Sequence, residues 1–169
     1  MKEKRESQKD LYKHYYSYSL SICLRFSYDR DDAVLIMNDG FMKVFKYINK
    51  FDLSKPFEPW LRRIMINSAV DNYNKSKKEK DNMELDDSLV EVSADTAIMD
   101  KINYEEMLEL VRKLPDAYRT VFNLIAIEGY KHREVAVMLN ITEGTSKSNY
   151  NRAKKKLQGY LNIYFEIQK

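Results

Sequence analysis

At 169 residues, with 44% hydrophobic content and a formal net charge of +3, the chain has the material for one domain or two small ones with real apolar cores. A lone Cys23 excludes an internal disulfide, two isolated histidines (His14 and His132) make no metal site, and four Gly with three Pro leave little material for hairpins, so an all-α fold with no metal or cofactor is expected. No apolar run reaches the roughly 18 residues of a membrane span and the charged N-terminus lacks a signal-peptide core, which predicts a soluble, cytoplasmic protein without membrane insertion.

The first helix is expected over about 7–28, with Leu11, Tyr15, Tyr18, Ile22 and Phe26 along one buried stripe. Tyr12, Tyr16 and Arg25 are of types that stack on bases, but with 13 tyrosines in the chain they single out no site. Asp29-Arg-Asp-Asp32 breaks the pattern, and Asp31 or Asp32 suits the N-cap of a second helix over about 33–50. Val34, Met37, Phe41, Val44 and Ile48 form its core stripe. Asn38, Asp39, Met42 and Lys46 stay outside, a mixed strip that fits either a protein partner or plain solvent.

Residues 51–59 form a loop carrying Phe51, Lys55 and Phe57, and a third helix follows over about 59–78 with Pro59 in its first turn. Trp60, Ile64 and Ala69 pack inward, while Arg62, Arg63, Asn67, Asp71, Asn74, Lys75, Lys77 and Lys78 give a polar, largely basic remainder. Aromatic rings beside cations suit single-stranded nucleic acid, since bases stack on the rings and cations follow phosphates. A core tryptophan with a solvated flank fits the same residues. From Asp81 to Asp100 there are seven acids and no Lys or Arg, the signature of a linker. Ile102, Met107, Leu110 and Val111 then enter a second core, and after Pro115 the stripe of Tyr118, Val121, Phe122 and Ile125 continues it.

The last third reads as two short helices and a tight turn. The first, over about 131–139, carries Val135, Met138 and Leu139, with small Ala136 where a neighbour can approach. Asn140 tolerates the left-handed turn, Ile141 plugs the gap, and Thr142 is a suitable N-cap with Glu143 at the positive end of the helix dipole. At about 100° per residue Ser146, Tyr150, Ala153, Leu157, Leu161 and Tyr164 share the buried face. Ser148, Arg152 and Lys155 lie opposite, flanked by Lys147 and Asn151, and no acid occurs from Gly144 to Phe165. Such a face suits a major groove, although a helical hairpin with a solvated basic face would look alike.

Several separated motifs then resemble one family, the extracytoplasmic-function sigma factors of the sigma-70 family. Leu114-Pro115, Arg119, Val121-Phe122, Leu124, Glu128-Gly129, Glu134-Val135-Ala136, Leu139, Gly144-Thr145, Lys147-Ser148 and Arg152-Ala153 match the region-four pattern. Asp32-Ala33, Phe41, Val44-Phe45, Trp60-Leu61, Ile64, Asn67 and Asp71 match region two. The resemblance implies two small helical domains, region two over 1–79 and a region-four helix-turn-helix over 101–169, joined by the flexible acidic linker 80–100. It implies docking on the clamp coiled coil of core RNA polymerase through Asn38, Asp39, Met42 and Lys46, with the polymerase flap as a second contact. It implies that Phe51, Lys55, Phe57, Trp60, Arg63, Asn67 and Asp71 take and melt the minus-ten element. Thr145, Lys147, Ser148, Asn151, Arg152 and Lys155 would read the minus-thirty-five element. An anti-sigma factor is the further partner implied. The sequence departs from the family pattern at Val34-Leu35, Asn38, His132-Arg133 and Ser146. A helix-turn-helix regulator that contacts no polymerase is the competing reading. An enzyme is not expected, since no carboxylate cluster or activated nucleophile is apparent.

Overall fold

A computed structural model of the chain describes residues 2–80 and 103–167. These residues form α1 (Lys2–Leu24), α2 (Arg30–Tyr47), α3 (Phe57–Lys80), α4 (Tyr104–Arg112), α5 (Asp116–Phe122), α6 (His132–Leu139) and α7 (Glu143–Ile167), with a 3-10 turn at Ile48–Lys50 and a π-helical turn at Asn123–Ile127. No strand occurs among the described residues, in keeping with the all-α expectation. The chain divides into two compact units between Asn72 and Tyr73. The acidic stretch 81–100 and Ile102 lie outside the described residues.

In the first unit α1 stops at Leu24, four residues short of the expected Tyr28. Although the apolar stripe continues to Phe26, the Phe26 and Ser27 N–H groups both turn back to the Cys23 carbonyl, at 3.0 and 3.1 Å, and close the helix. The cap of α2 is Asp29 rather than Asp31 or Asp32: its carboxylate accepts from the Asp32 N–H at 2.8 Å. Asp32 reaches the other way, accepting from the Tyr28 N–H at 3.3 Å and from Asn72 of α3 at 3.3 Å. The α-helical part of α2 ends at Tyr47, and its expected last turn tightens into the 3-10 form.

The core of this unit is Leu20, Ile22 and Cys23 from α1, Ile36, Met37, Phe41 and Val44 from α2, and Leu61, Met65, Ile66 and Val70 from α3, all buried. Each large side chain there contributes roughly 1.5–3 kcal/mol by leaving water. Gly40 lets α3 approach closely, since a Cβ at this position would run into the Met65 sulfur.

In the second unit Asn103 caps α4 in a reciprocal box with Glu106, both bonds being 3.0 Å. Leu110, Val111, Leu114 and Tyr118 meet Ala153 and Leu157 of α7, with Phe122, Tyr160 and Leu161 packed around them. The turn from α4 to α5 is built on a buried cation. Arg119, 3% exposed, donates to the carbonyls of Arg112 at 2.9 Å and Leu114 at 3.1 Å and to the Asp116 carboxylate at 2.7 Å. It thus satisfies two carbonyls around the end of α4 that the helix itself leaves open.

Candidate nucleic-acid interface and partner strip

Gly129, at φ +75, makes the bend into α6, and Glu134 accepts from the Lys131 N–H at 2.7 Å to start that helix. Asn140 ends it in the left-handed conformation, φ 51 and ψ 52. The Ile141 N–H bonds to the Ala136 carbonyl at 3.0 Å and the Asn140 N–H to Val137 at 3.4 Å, the paired bonds of a Schellman turn. Thr142 then caps α7, its hydroxyl accepting from the Thr145 N–H at 3.0 Å. Val135, Leu139, Ser146, Ala153 and Leu157 are buried beneath the turn. Two positions where the sequence departs from the family pattern meet here: His132 Nδ1 lies 2.9 Å from Ser146 Oγ, and the His132 ring stands edge-on to Tyr150.

On the outer side of α7, Thr145, Lys147, Ser148, Asn151, Arg152 and Lys155 are all exposed. Three of them have partners within the protein. Lys147 pairs with Glu143 one turn earlier at 2.7 Å, an Arg152 Nη1 hydrogen bonds to the Tyr118 hydroxyl at 3.3 Å, and the Thr145 hydroxyl meets Thr142 at 2.9 Å. The Glu143 carboxyl is held below its ordinary value, first by the hydrogen bond from Lys147 and then by that residue's charge.

In the first unit, Phe51, Phe57 and Trp60 are half-buried and face one another, with ring centroids 5.0–5.4 Å apart, and Tyr15 of α1 adds a fourth ring 5.0 Å from Phe57. Beside this cluster, residues 52–55 form a tight turn. Asp52 accepts from the Ser54 N–H at 3.1 Å and hydroxyl at 2.7 Å, and Lys55 lies 3.6 Å away. These contacts hold the Asp52 carboxyl below its ordinary value, the Ser54 hydroxyl first. On α3, Arg63 and Asn67 are exposed, while Asp71 is paired with Lys43 of α2 at 2.7 Å. Arg25, one of the residue types suited to stacking, is buried.

On α2, Asn38, Asp39, Met42 and Lys46 are exposed, as expected for an outward strip. Leu35, noted from the sequence only as part of a departure from the family pattern, lies on the same strip, 66% exposed, and Leu53 on the 52–55 turn, which the sequence did not single out, is 91% exposed. Their signal was an aliphatic residue outside the core periodicity. Among the described residues no cluster of His, Cys, Asp or Glu is able to hold a metal ion, and no helix is long and apolar enough to cross a membrane. Burial pushes the Cys23 thiol up to about 12, which makes it unreactive in the folded chain.

The sigma-70 region 2 family model matches residues 11–79, and the sigma-70, region 4 model matches residues 104–157. Among curated proteins, the ECF RNA polymerase sigma factor SigM of Bacillus subtilis (strain 168) is 26% identical over 157 residues, covering 90% of this chain and 94% of the relative. The ECF RNA polymerase sigma factor SigW of the same organism is 27% identical over 160 residues, covering 83% and 81%. In fold the chain is similar to the sigma factor RpoE of Bartonella quintana, solved in complex with the anti-sigma factor NepR, with a TM-score of 0.53 at 20% identity, covering 92% of this chain and 98% of that one. The two regional matches stand in order on one chain and the relatives extend across nearly all of it, so the chain belongs to the sigma-70 family, as an extracytoplasmic-function sigma factor.

Proposed function

We propose that this chain serves as the sigma subunit of a bacterial RNA polymerase, binding the core enzyme, bringing it to a subset of promoters and assisting strand opening. The observation that carries the reading is the pair of regional matches, region 2 followed by region 4, on a single chain. A plain helix-turn-helix regulator would use the second match and leave residues 11–79 without a task.

Within this function the residues divide the labour. Residues 1–79 dock on the clamp coiled coil through Asn38, Asp39, Met42 and Lys46 and handle the minus-ten element. Arg63 and Lys55 meet phosphates there. Asn67 and the rim of the Phe51, Phe57 and Trp60 cluster receive an unstacked base, offsetting part of the energy of flipping it out. Asp71, tied to Lys43, braces α3 against α2 in that role. Residues 80–100 link the halves, their acidity suited to a basic channel wall. Residues 101–169 contact the flap and lay α7 in the major groove of the minus-thirty-five element, where Lys147, Ser148, Asn151, Arg152 and Lys155 meet bases and phosphates and Thr145 lies at the helix entry. The protein works in the cytoplasm, catalyses no reaction itself, and is held in check by an anti-sigma factor, as NepR is paired with RpoE in the Bartonella quintana complex.

The test is reconstitution. Core polymerase supplied with the chain is expected to give promoter-dependent transcripts, and sequencing the DNA captured with that complex identifies the promoters. Absence of core binding at low salt would sink the proposal.

A further inference from the structure

On the outward strip of α2, Asn38 sits between Leu35 and Met42, which are 66% and 68% exposed. A residue of α1 governs its amide. The Tyr12 hydroxyl donates to Asn38 Oδ1 at 3.0 Å, across 26 residues of sequence. The Tyr12 ring is fixed in turn, its centroid 4.6 Å from that of the buried Phe41 and 5.7 Å from that of Tyr16. That bond engages one of the two lone pairs of the oxygen and orients the amide, leaving its two N–H donors for a partner. The Asn38 side chain is short. It reaches little way from the helix, so the orientation of its amide matters.

We propose that Tyr12 is a positioning residue for core-polymerase docking: it holds Asn38 by the oxygen and presents the amide as a donor to an acceptor on the partner, between two apolar side chains. The assignment rests on the sigma function proposed above. Burial, and then the neighbouring Tyr16, raise the Tyr12 hydroxyl above its ordinary value, so it remains a donor throughout the physiological range. Apolar flanks increase what the donor is worth, because Leu35 and Met42 exclude water from the bond when the partner closes over them.

Tyr12→Phe removes the hydroxyl and keeps the ring packing. Its binding to core polymerase, measured by fluorescence titration of the full chain, is expected to weaken roughly three- to tenfold, the worth of one orienting hydrogen bond. The thermal midpoint should be unchanged. In an Asn38→Ala background the same substitution should have no further effect on core binding, since the two residues act as one unit. Unchanged core affinity, an equal loss in both backgrounds, or a loss that follows a lowered midpoint each overturns the role of Tyr12 and leaves the sigma function standing. Failure of the unaltered chain to bind core overturns the function, and the role of Tyr12 with it.

Discussion

In the second unit the side chains proposed to meet DNA stand on the outer face of one helix, and they are placed from behind by Asn140, Thr142 and the buried Val135, Leu139 and Ala153. In the first unit the candidate rings of Phe51, Phe57 and Trp60 pack on one another, whereas the α7 candidates that have partners are each held by a residue outside the set, Thr145 by Thr142, Lys147 by Glu143 and Arg152 by Tyr118. A groove-reading face tolerates this independence, because the duplex supplies the order. A surface that captures an unpaired base has no such template and must itself be rigid. Substitutions should therefore behave differently in the two units, additively on α7 and cooperatively around Trp60.

The largest expected effect removes the support behind α7. Arg119→Ala strips two carbonyls and a carboxylate of their donor inside the second core, and should cost about 3 kcal/mol. Arg119→Lys should recover little, because an ammonium lacks the planar fork that serves three acceptors. The chain's single tryptophan, Trp60, lies in the first unit, so its fluorescence reports that unit alone while circular dichroism reports both. In a urea titration the variant should show an early loss of helix with the Trp60 transition unmoved. A simultaneous shift of both would show the two units to be less independent than this comparison holds.

The same contrast governs what the sequence made legible. The buried face of α7, the left-handed Asn140 and the Thr142 cap are set by residues within a few positions of each other, and periodicity finds them. The cap of α2 was not readable in this way. Asp29, Asp31 and Asp32 are chemically alike, and the choice rests on Asp32 reaching Tyr28 and on Asn72 arriving from another helix. Phe51 and Lys55 were legible as a loop, but Phe57, expected in it, opens α3, and the packing of Tyr15 of α1 on its ring is something no local pattern indicates. His132 and Ser146 looked like two separate departures from the family pattern, and only the packed turn reveals them as one hydrogen-bonded pair.

Arg152→Ala should lower minus-thirty-five binding of the holoenzyme about tenfold, as expected for one good base or phosphate contact, and leave core binding intact. Equal loss of both would contradict the division of labour. In the first unit, Gly40→Ala forces a methyl group against Met65, whose flexible end has little room in a fully buried site. The overpacking is partly offset by the better helix propensity of alanine, for a net cost of about 1 kcal/mol. Here the Trp60 transition should move and the loss of helix from the second unit should not, the reverse of the pattern for Arg119→Ala.

The smallest effect tests one commitment that α7 already carries. Glu143 occupies Lys147 at 2.7 Å, so in the free chain one cation of the reading face is already spent on a carboxylate. Glu143→Gln should release it to a phosphate, raising holoenzyme affinity for a minus-thirty-five fragment about threefold and steepening the dependence of log K on log salt by about one. The pH dependence has a definite sign. The folded carboxyl is depressed below 4.5, so whatever the pair contributes to stability is fully present above that value and is lost only as pH falls through the lower, folded one. The gain from Glu143→Gln should accordingly be the same at pH 6 and pH 8, where the native carboxylate is ionised throughout. A loss of affinity instead would mean that Glu143 itself accepts from a base edge. The Glu143 and Lys147 pair would then be a contact unit like those of the first unit, and the independence attributed to α7 would end at its first turn.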